Sequence, residues 1–288
     1  MLLSTSISAM LRHYECEEII EMLSEAGFDA IDFSFFQERF FDECTDSEAF
    51  KAYFFRLREL AETKGMRFNQ AHAPMPSGKE DKEWTERRFW DIVRAMRNAS
   101  YLGVETIVVH SISYLRYVEP GNREKAFEMN MDFFGRLIPY CEQYRIRVAI
   151  ENQYQTECGV KSQNVTSRAE ELIRYVDTLN SKWIVACLDI GHACLVREDP
   201  STFIRKLGSD RLQALHIHDV DGVEDLHTLP FYGISNWERI MRAIKEIGYT
   251  GDFTLETPGF LKNLPKELIP AAVNYMAAVG RYLIGEMK

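Results

Sequence analysis

The chain has 288 residues, 46% of them hydrophobic and 27% charged, which is typical of a globular protein that buries a large core without disulfides. Its net charge of −10, from 34 basic and 44 acidic residues, disfavours a nucleic-acid partner, because phosphate binding requires a surplus of Lys and Arg. No segment approaches the roughly 18 apolar residues of a membrane span, so no membrane partner is expected. The six cysteines lack Cys-x-x-Cys spacing and the first residues lack the features of a signal peptide, which predicts a reduced cytoplasmic protein.

Short strand-like segments alternate with longer amphipathic segments along the whole chain. The predicted strands, in chain order, are Leu2–Ile7, Ala30–Phe33, Arg67–Ala71, Thr106–His110, Arg147–Glu151, Ile184–Asp189, Ala214–His218 and Phe253–Glu256. The predicted helices are Cys16–Ala26, Ser47–Lys64, Lys82–Leu102, Arg123–Tyr144, Ser167–Asn180, Pro200–Leu207, Trp237–Ile247 and Lys266–Gly285. Strands that alternate with helices of this length indicate βαβ units and a parallel sheet.

Eight strands and eight helices in strict alternation predict an α/β fold, a (β/α)8 TIM barrel, which needs about 250 residues. A doubly wound open sheet is the main alternative, and it would carry a glycine-rich turn after an early strand to hold a dinucleotide. The first predicted strand is followed instead by Ser8-Ala9-Met10-Leu11, and neither G-x-G-x-x-G nor G-x-x-x-x-G-K-[ST] occurs, so no nucleotide cofactor is expected. No Gly-, Ser- or Pro-rich linker divides the chain, which predicts a single domain over residues 1–288.

Ionisable side chains stand at or next to the carboxyl ends of six consecutive predicted strands. They are His72, His110, Glu151, Asp189, His218 and Glu256. Because a barrel places the carboxyl ends of its strands around one rim, we expect these side chains to converge there. Each one alone could cap a helix or hydrogen-bond in the core, but six in succession favour a shared cation, which offsets the desolvation of carboxylates and imidazoles. The sequence therefore predicts a metal site at the carboxyl end of the barrel.

Two loops add candidates at the same end. Asp225 and His227 follow the seventh predicted strand and, being two residues apart in an extended segment, could both reach one cation. A solvated loop explains these two residues equally well. The polar segment from Gln153 to Thr166 follows Glu151 and is long enough to fold over the site as a lid.

The chain resembles the xylose-isomerase-like barrel superfamily of sugar phosphate isomerases and epimerases over nearly its whole length. The matching pieces are His72-Ala73-Pro74, Ile150-Glu151-Asn152, Leu188-Asp189-Ile190-Gly191-His192, His216-Ile217-His218-Asp219, and Trp237 through Ile247-Gly248-Tyr249-Thr250-Gly251 to Leu255-Glu256. Residues Pro230 to Trp237 keep only part of a Pro-Gly-x-Gly turn that sugar-acting relatives commonly carry. The resemblance implies an isomerase of a small-molecule sugar or sugar phosphate that forms a homodimer or homotetramer.

The resemblance also implies a mechanism. In members that epimerise ketoses, the positions matching Glu151, Asp189, His218 and Glu256 bind one divalent metal ion, which is Mn²⁺, Zn²⁺, Co²⁺ or Mg²⁺. By this resemblance, Glu151 and Glu256 are the catalytic acid and base and exchange the substrate proton through a metal-stabilised enediolate. The position matching His192 orients the sugar.

Other activities use the same type of site. Endonuclease IV-type DNA repair enzymes share this barrel and bind three zinc ions, and their nine ligands would fall on His72, His110, Glu151, Asp189, His192, His218, Asp225, His227 and Glu256. Against this alternative, the residues after Asp189 lack the endonuclease's Asp-Thr-Cys-His form, and a net charge of −10 is unsuited to a duplex binder. Inosose dehydratases and hydroxypyruvate isomerases are further alternatives. The residues left as candidates for a second metal or for substrate binding are His72, His110, His192, Asp225 and His227.

Overall fold

The computed structural model describes residues 1–285, apart from the side chain at position 43. The strands in this part are β1 (Leu3–Ser6), β2 (Ala30–Ser34), β3 (Arg67–His72), β4 (Thr106–Val109), β5 (Arg147–Glu151), β6 (Tyr154–Glu157), β7 (Val160–Gln163), β8 (Ile184–Asp189), β9 (Leu212–His216) and β10 (Phe253–Leu255). The α-helices are α1 (Cys16–Ala26), α2 (Glu48–Thr63), α3 (Lys82–Tyr101), α4 (Asn122–Tyr144), α5 (Ala169–Leu179), α6 (Ile190–Leu195), α7 (Pro200–Arg211), α8 (Trp237–Glu246), α9 (Pro258–Leu261) and α10 (Ile269–Gly285).

Eight of the strands are parallel and form one sheet in the order β10-β1-β2-β3-β4-β5-β8-β9. The two edges of this sheet meet just beyond β9, where Ile217 pairs in parallel with Leu255. The N–H of Ile217 donates to the carbonyl of Thr254 at 2.9 Å, and the N–H of Glu256 donates to the carbonyl of Ile217 at 3.0 Å. These bonds close the barrel, so the predicted (β/α)8 TIM barrel is confirmed. The domain limits 1–288 stay a prediction, since residues 286–288 lie outside the described part of the chain.

The pleat of the strands divides the buried side chains between two faces. Large aliphatic residues such as Ile150 and Leu188 pack in the core beneath the helices. Alternate positions form a small apolar cluster inside the barrel, which consists of Val108, Ala149, Val185, Cys187 and Ala214. Two residues further along the same inner face come Glu151, Asp189 and His216, which therefore point into the carboxyl end of the barrel.

The helices begin where the sequence supplies an oxygen for their free backbone N–H groups. Ser47, Asp81 and Asp199 precede α2, α3 and α7, and each side chain accepts an N–H from the first helical turn. Gly27 ends α1 in the left-handed conformation, with φ of 86°. Such defined ends return the chain to the next strand within a few residues.

The observed elements depart from the predicted ones near the carboxyl end of the barrel. Strand β9 lies two residues earlier than predicted, so that His218 is in the loop that follows it. The segment expected to be a lid contains an antiparallel hairpin of β6 and β7, and α6 directly follows β8. The predicted helix Lys266–Gly285 is divided into a 3₁₀ turn, Lys266–Leu268, and α10. Within residues 1–285, no helix is both long enough and apolar enough to cross a membrane.

Candidate active site

The carboxyl end of the barrel, here called the mouth, brings all six predicted strand-end side chains together. His72, Glu151 and Asp189 are the last residues of β3, β5 and β8, while His110 and Glu256 directly follow β4 and β10. His218 reaches the same place from the loop after β9. All six are buried except His110, whose side chain is 18% exposed.

Glu151, His72 and His110 form one group in the mouth. Nε2 of His110 lies 2.7 Å from Oε2 of Glu151, and Nε2 of His72 lies 3.6 Å from the same oxygen. The two Nε2 atoms are 3.1 Å apart. Nδ1 of His72 lies 2.9 Å from the carbonyl oxygen of Ala73, which only accepts, so Nδ1 carries the proton and the Nε2 lone pair faces the group. A lone pair facing a carboxylate requires a proton or a cation between them.

Asp189 has a structural role and also faces an imidazole at the end of β8. Its Oδ1 accepts the N–H of His192 at 2.7 Å and so caps α6. Its Oδ1 and Oδ2 lie 2.8 and 2.9 Å from Nε2 of His218. The side chain of Asn152 donates to the carbonyl of Asp189 at 3.0 Å and accepts its N–H at 2.7 Å. The carboxylate is therefore fixed in position by the neighbouring strand end.

Asp225 and His227 lie in the mouth together with His192. Oδ2 of Asp225 lies 3.0 Å from Nε2 of His227 and 3.6 Å from Nε2 of His192. The same oxygen accepts the hydroxyl of Tyr154 at 3.0 Å. Nδ1 of His192 and Nδ1 of His227 donate to backbone carbonyls at 3.0 and 3.2 Å. Both rings therefore also direct Nε2 at a carboxylate, and a proton or a cation must lie between them.

The possible ligand atoms of these residues fall into overlapping sets, within which all atoms lie within 4.8 Å of one another. One set is His72, His110 and Glu151, another is Asp189, His218, His227 and Glu256, and a third is His192, His218, Asp225 and His227. Carboxylates mixed with imidazoles whose rings are oriented by backbone carbonyls suit Zn²⁺ or Mn²⁺. The residues present therefore fit a divalent cation.

The mouth opens into a cavity of about 470 Å³. Seven of the site residues line it, which are His72, His110, Glu151, His192, Asp225, His227 and Glu256, whereas Asp189 and His218 are not part of its lining. The remainder of the lining includes Phe36, Met75, Tyr154 and Thr156. The ring of Phe36 meets the ring of His72 edge-on, with 4.8 Å between the centroids. Because Tyr154 and Thr156 belong to β6, the segment expected to be a lid contributes to the wall of the cavity.

Three residues of the mouth lie outside the predicted set. His216 precedes His218 by two residues, so strand alternation already places both rings on one face, and this was a usable signal. It is completely buried and contacts Glu151. Asn152 and Tyr154 give no such signal, because their roles depend on which backbone and carboxylate groups the folded chain brings near them.

Comparison with known proteins places the chain in a family. A sequence profile described as "Xylose isomerase-like TIM barrel" matches residues 20–279. The chain belongs to this family. It is 28% identical over 200 residues to "Uncharacterized protein y4fM" of Sinorhizobium fredii, over 65% of this chain and 61% of that protein. It is 31% identical over 103 residues to the fructoselysine 3-epimerase of Escherichia coli O157:H7, over 36% of this chain and 37% of that enzyme. The matched regions thus span less than two thirds of these relatives.

Solved structures share the barrel. A D-psicose 3-epimerase determined in the presence of D-fructose superposes with a TM-score of 0.77, at 18% identity, over 99% of this chain and 100% of that chain. The IOLI protein with a binding zinc atom superposes with a TM-score of 0.79, at 17% identity, over 100% of this chain and 99% of that chain. At these identities the likeness establishes the fold alone.

The charges in the mouth of this xylose isomerase-like barrel act strongly on one another. Burial alone would raise the pKa of Glu151, but the neighbouring charges of His216 and His110 hold that pKa well below its usual value. Burial of Asp189 is likewise outweighed by two neighbouring imidazoles, and its pKa is lowered. The carboxylates are therefore ionised and available to a cation near neutral pH.

The pH dependence of stability is expected to have opposite signs in the metal-free and the metal-loaded protein. Burial alone would lower the pKa of His227, but its hydrogen bond with Asp225 raises the pKa from 6.5 to about 9. Because this pKa is higher in the folded protein than in the unfolded chain, protonation of His227 stabilises the metal-free fold. The stabilisation, on the order of 3 kcal/mol, is complete below about pH 6.5 and is lost as the pH rises through about 9. A histidine ligand must be unprotonated, so the stabilisation by Zn²⁺ grows over the same range.

Thermal unfolding between about pH 6 and pH 9, with a chelator or with Zn²⁺, measures both dependences. Substituting His227 with Gln should flatten the metal-free curve. Parallel curves with and without Zn²⁺ would contradict a ligand role for His227.

Gly191 of α6 leaves the space in which the ring of His218 lies. A Cβ at this position would overlap Cε1, Nδ1 and Nε2 of that ring, which is completely buried. Gly191→Ala is therefore expected to displace His218 from Asp189 and to weaken Zn²⁺ binding by at least about tenfold, as measured by calorimetry. The matched control is Gly135→Ala in α4, where an added Cβ meets nothing within 4 Å. Equal affinity of both variants would contradict a ligand role for His218.

Proposed function

We propose that the protein is a divalent-metal-dependent isomerase or epimerase of a sugar or sugar phosphate. The observation that carries this proposal is the meeting of Glu151 and Glu256 at one cavity. The two side chains come from β5 and from the end of β10, and both reach Nδ1 of His216, at 2.6 and 3.2 Å. Two carboxylates placed in this way can serve as base on one face of a carbon atom and as acid on the other.

The residues of the mouth have separate roles in such an epimerisation. Asp189 and His218, together with the two glutamates, would hold the cation, which when bound supplies Lewis-acid polarisation of the substrate carbonyl. Glu151 removes the proton from the carbon next to that carbonyl, and Glu256 returns a proton to the opposite face. In the reverse reaction the two carboxylates exchange roles, because each step must retrace itself.

The size and lining of the cavity support a sugar as the substrate. A volume of about 470 Å³ lies within the range of small-molecule sites. His192 and Tyr154 offer polar atoms to hydroxyl groups, and the exposed ring of Phe36 offers a surface to the apolar face of a sugar. The names of two similar proteins, a fructoselysine 3-epimerase and a D-psicose 3-epimerase, support a ketose. The homodimer or homotetramer and the cytoplasmic location stay predictions.

The overlapping ligand sets favour a second candidate, a zinc-dependent nuclease that cleaves DNA at abasic sites. All nine residues that match the zinc ligands of endonuclease IV-type enzymes lie in the mouth. Most of them belong to more than one possible ligand set. The net charge of −10 opposes this candidate, because a duplex binder needs a basic surface. The two candidates differ in the number of metal ions, which is one for the epimerase and three for the nuclease.

Elemental analysis of protein purified without added metal or chelator is the first test. One divalent ion per chain, together with deuterium entering a free or phosphorylated ketose from D₂O, supports the proposal. Three zinc ions per chain and cleavage of an abasic duplex would replace it with the nuclease. Free and phosphorylated ketoses are tested in the presence of Mn²⁺, Co²⁺, Mg²⁺ or Zn²⁺. If none of them takes up deuterium from D₂O, the isomerase proposal fails.

A further inference from the structure

A second cavity, here called the amino-end cavity, lies at the opposite end of the barrel from the mouth. Its volume is about 480 Å³. Its lining includes Arg67, which begins β3, and Arg147, which begins β5. Glu151 ends the same strand β5 and points into the mouth, so the two cavities are separated by the length of the barrel. Active sites of this fold lie at the carboxyl end, which leaves the amino-end cavity outside the proposed reaction.

Three arginines line this cavity, and two of them are paired with a carboxylate. Nη2 of Arg67 lies 2.9 Å from Oδ2 of Asp252, and Nε of Arg58 lies 2.8 Å from Oε1 of Glu62. The other oxygen of Asp252 accepts the N–H of Leu2 at 3.3 Å, so this mostly buried carboxylate is fully engaged. These two ion pairs leave no net charge on their part of the wall.

The third arginine, Arg147, has a neutral partner at hydrogen-bond distance. Its Nη1 donates to Oε1 of Gln213 at 2.9 Å. Its Nη2 lies 3.8 Å from Oε2 of Glu105, whose side chain is 81% exposed, and an exposed pair at that distance contributes little. Within residues 1–285 the guanidinium makes no other hydrogen bond, although its side chain is only 32% exposed. Its remaining N–H groups are therefore available to an acceptor in the cavity.

Further positive charge surrounds Arg147. A shallow depression beside the cavity shares Arg147 and Glu105 with it and adds Arg145 and Lys182. Three cations thus accompany one carboxylate here, in a chain whose net charge is −10. The indole N–H of Trp183 in the same depression is buried and has no acceptor in the described part of the chain. A local excess of positive charge with unused donors favours an anionic ligand.

Other parts of the wall are arranged so that donors remain available. The side-chain oxygen of Asn69 accepts the hydroxyl of Ser4 at 2.7 Å, whereas its Nδ2 makes only a 3.5 Å contact with the hydroxyl of Thr254. At the edge of the cavity, Gly103 has φ of 80°, and a Cβ there would lie 3.1 Å from Cζ of Arg58. The glycine therefore leaves the space in which that guanidinium lies.

We propose that the amino-end cavity binds a small anion that carries a phosphate group, and that Arg147 contacts this group. The parallel N–H groups of a guanidinium match two oxygens of a phosphate. A volume of about 480 Å³ lies within the range of small-molecule sites, so the cavity has room for more than a bare ion. The inference does not depend on the proposed function, because the two glutamates and the possible metal ligands lie at the other end of the barrel.

Calorimetric titration of the full-length protein with inorganic phosphate and with a ketohexose phosphate tests the site. We expect Arg147→Gln to weaken binding by at least about tenfold, because charge-assisted hydrogen bonds are lost. We expect Glu105→Gln to strengthen it by about two- to fivefold, because a competing carboxylate is removed. Tighter binding of the ketohexose phosphate would identify a phosphorylated metabolite as the ligand, and equal binding would identify phosphate itself. Tighter binding of a dicarboxylate such as malonate would contradict the phosphate class.

Two further variants locate the anion. Arg205→Gln removes the same charge from α7, where Arg205 pairs with Glu246 on the surface at 2.7 Å, and it should bind phosphate as the wild type does. Glu256→Gln in the mouth should do the same, and a changed phosphate affinity in this variant would place the anion in the mouth and overturn the inference. Thermal unfolding verifies that each variant folds.

The inference is wrong if the wild type binds neither phosphate compound, or if Arg147→Gln binds them as tightly as Arg205→Gln. The exposed Glu105 provides an independent check should Arg147→Gln fail to fold. Unchanged affinity in Glu105→Gln would then mean that Arg147 and its neighbours serve the stability of the barrel alone.

Discussion

Replacing either Glu151 or Glu256 with glutamine is expected to lower the exchange of the substrate's α-proton with solvent by at least about a thousandfold. Glutamine keeps the volume and one hydrogen-bonding oxygen, but its amide neither takes up a proton nor provides an anionic ligand. Both side chains are buried, at 1% and 6% exposure, so no solvent group replaces them. Deuterium incorporation followed by nuclear magnetic resonance measures the loss, and thermal unfolding verifies that each variant folds.

The matched control removes the same charge outside the mouth. Glu246 belongs to α8 and pairs with Arg205 at 2.7 Å on the surface. Glu246→Gln should exchange the α-proton at the rate of the wild type, because an exposed ion pair contributes little. Normal exchange in both the Glu151 and the Glu256 variants would contradict the two-carboxylate mechanism.

The barrel could be predicted because the strand and helix patterns of apolar residues are both visible in the sequence. Short apolar strands and long amphipathic helices alternate without interruption, and their number determines the closed sheet. The position of β9 was harder, since the alternation of Ala214 to His218 continues after the sheet pairing ends. There, Ile217 makes only an isolated bridge with Leu255. Strand limits depend on the partner strand, which the local pattern does not contain.

The hairpin of β6 and β7 shows why the lid could not be described further from sequence. Its strands, Tyr154–Glu157 and Val160–Gln163, are polar and partly exposed, so they lack the apolar alternation that marks a half-buried strand. The chain reversal instead relies on Cys158 and Gly159, which both have positive φ. A cysteine in that conformation gives no turn signal.

Most residues of the mouth could be chosen from the sequence, whereas the groups to which they hydrogen-bond could not. A residue at a strand end must lie at the mouth, which is why His72, Glu151 and Asp189 could be chosen from sequence. Which nitrogen of each ring carries the proton depends on backbone carbonyls that lie near the ring only in the folded chain. For His72 this carbonyl is that of Ala73. The contact of His216 with Glu151 is of the same kind, because it joins two strands that are 65 residues apart in sequence.

Replacing Asp189 with asparagine is expected to weaken Zn²⁺ binding by at least about a hundredfold, more than the loss of a typical positioning residue, while the metal-free fold stays within about 1 kcal/mol of the wild type. Asparagine is as good an N-cap as aspartate, so its oxygen still accepts the N–H of His192 that Oδ1 accepts at 2.7 Å. The two hydrogen bonds of the Asn152 side chain are made to the backbone of Asp189 and are unaffected. The anionic ligand next to His218 is lost, and with it the attraction for a divalent cation.

A matched substitution elsewhere separates the cap from the ligand. Asp81 caps α3 by accepting the N–H of Trp84 at 3.0 Å, and Asp81→Asn makes the same chemical change away from the mouth. Calorimetric titration with Zn²⁺ should therefore distinguish the two variants, although their unfolding temperatures are alike. If Asp189→Asn bound Zn²⁺ as tightly as Asp81→Asn, the carboxylate of Asp189 would cap α6 without binding the cation, and the cation would have to be held by a set that lacks Asp189, such as His72, His110 and Glu151 or His192, His218, Asp225 and His227. The affinity of this one variant thus decides whether the ligand set that contains Asp189 holds the metal.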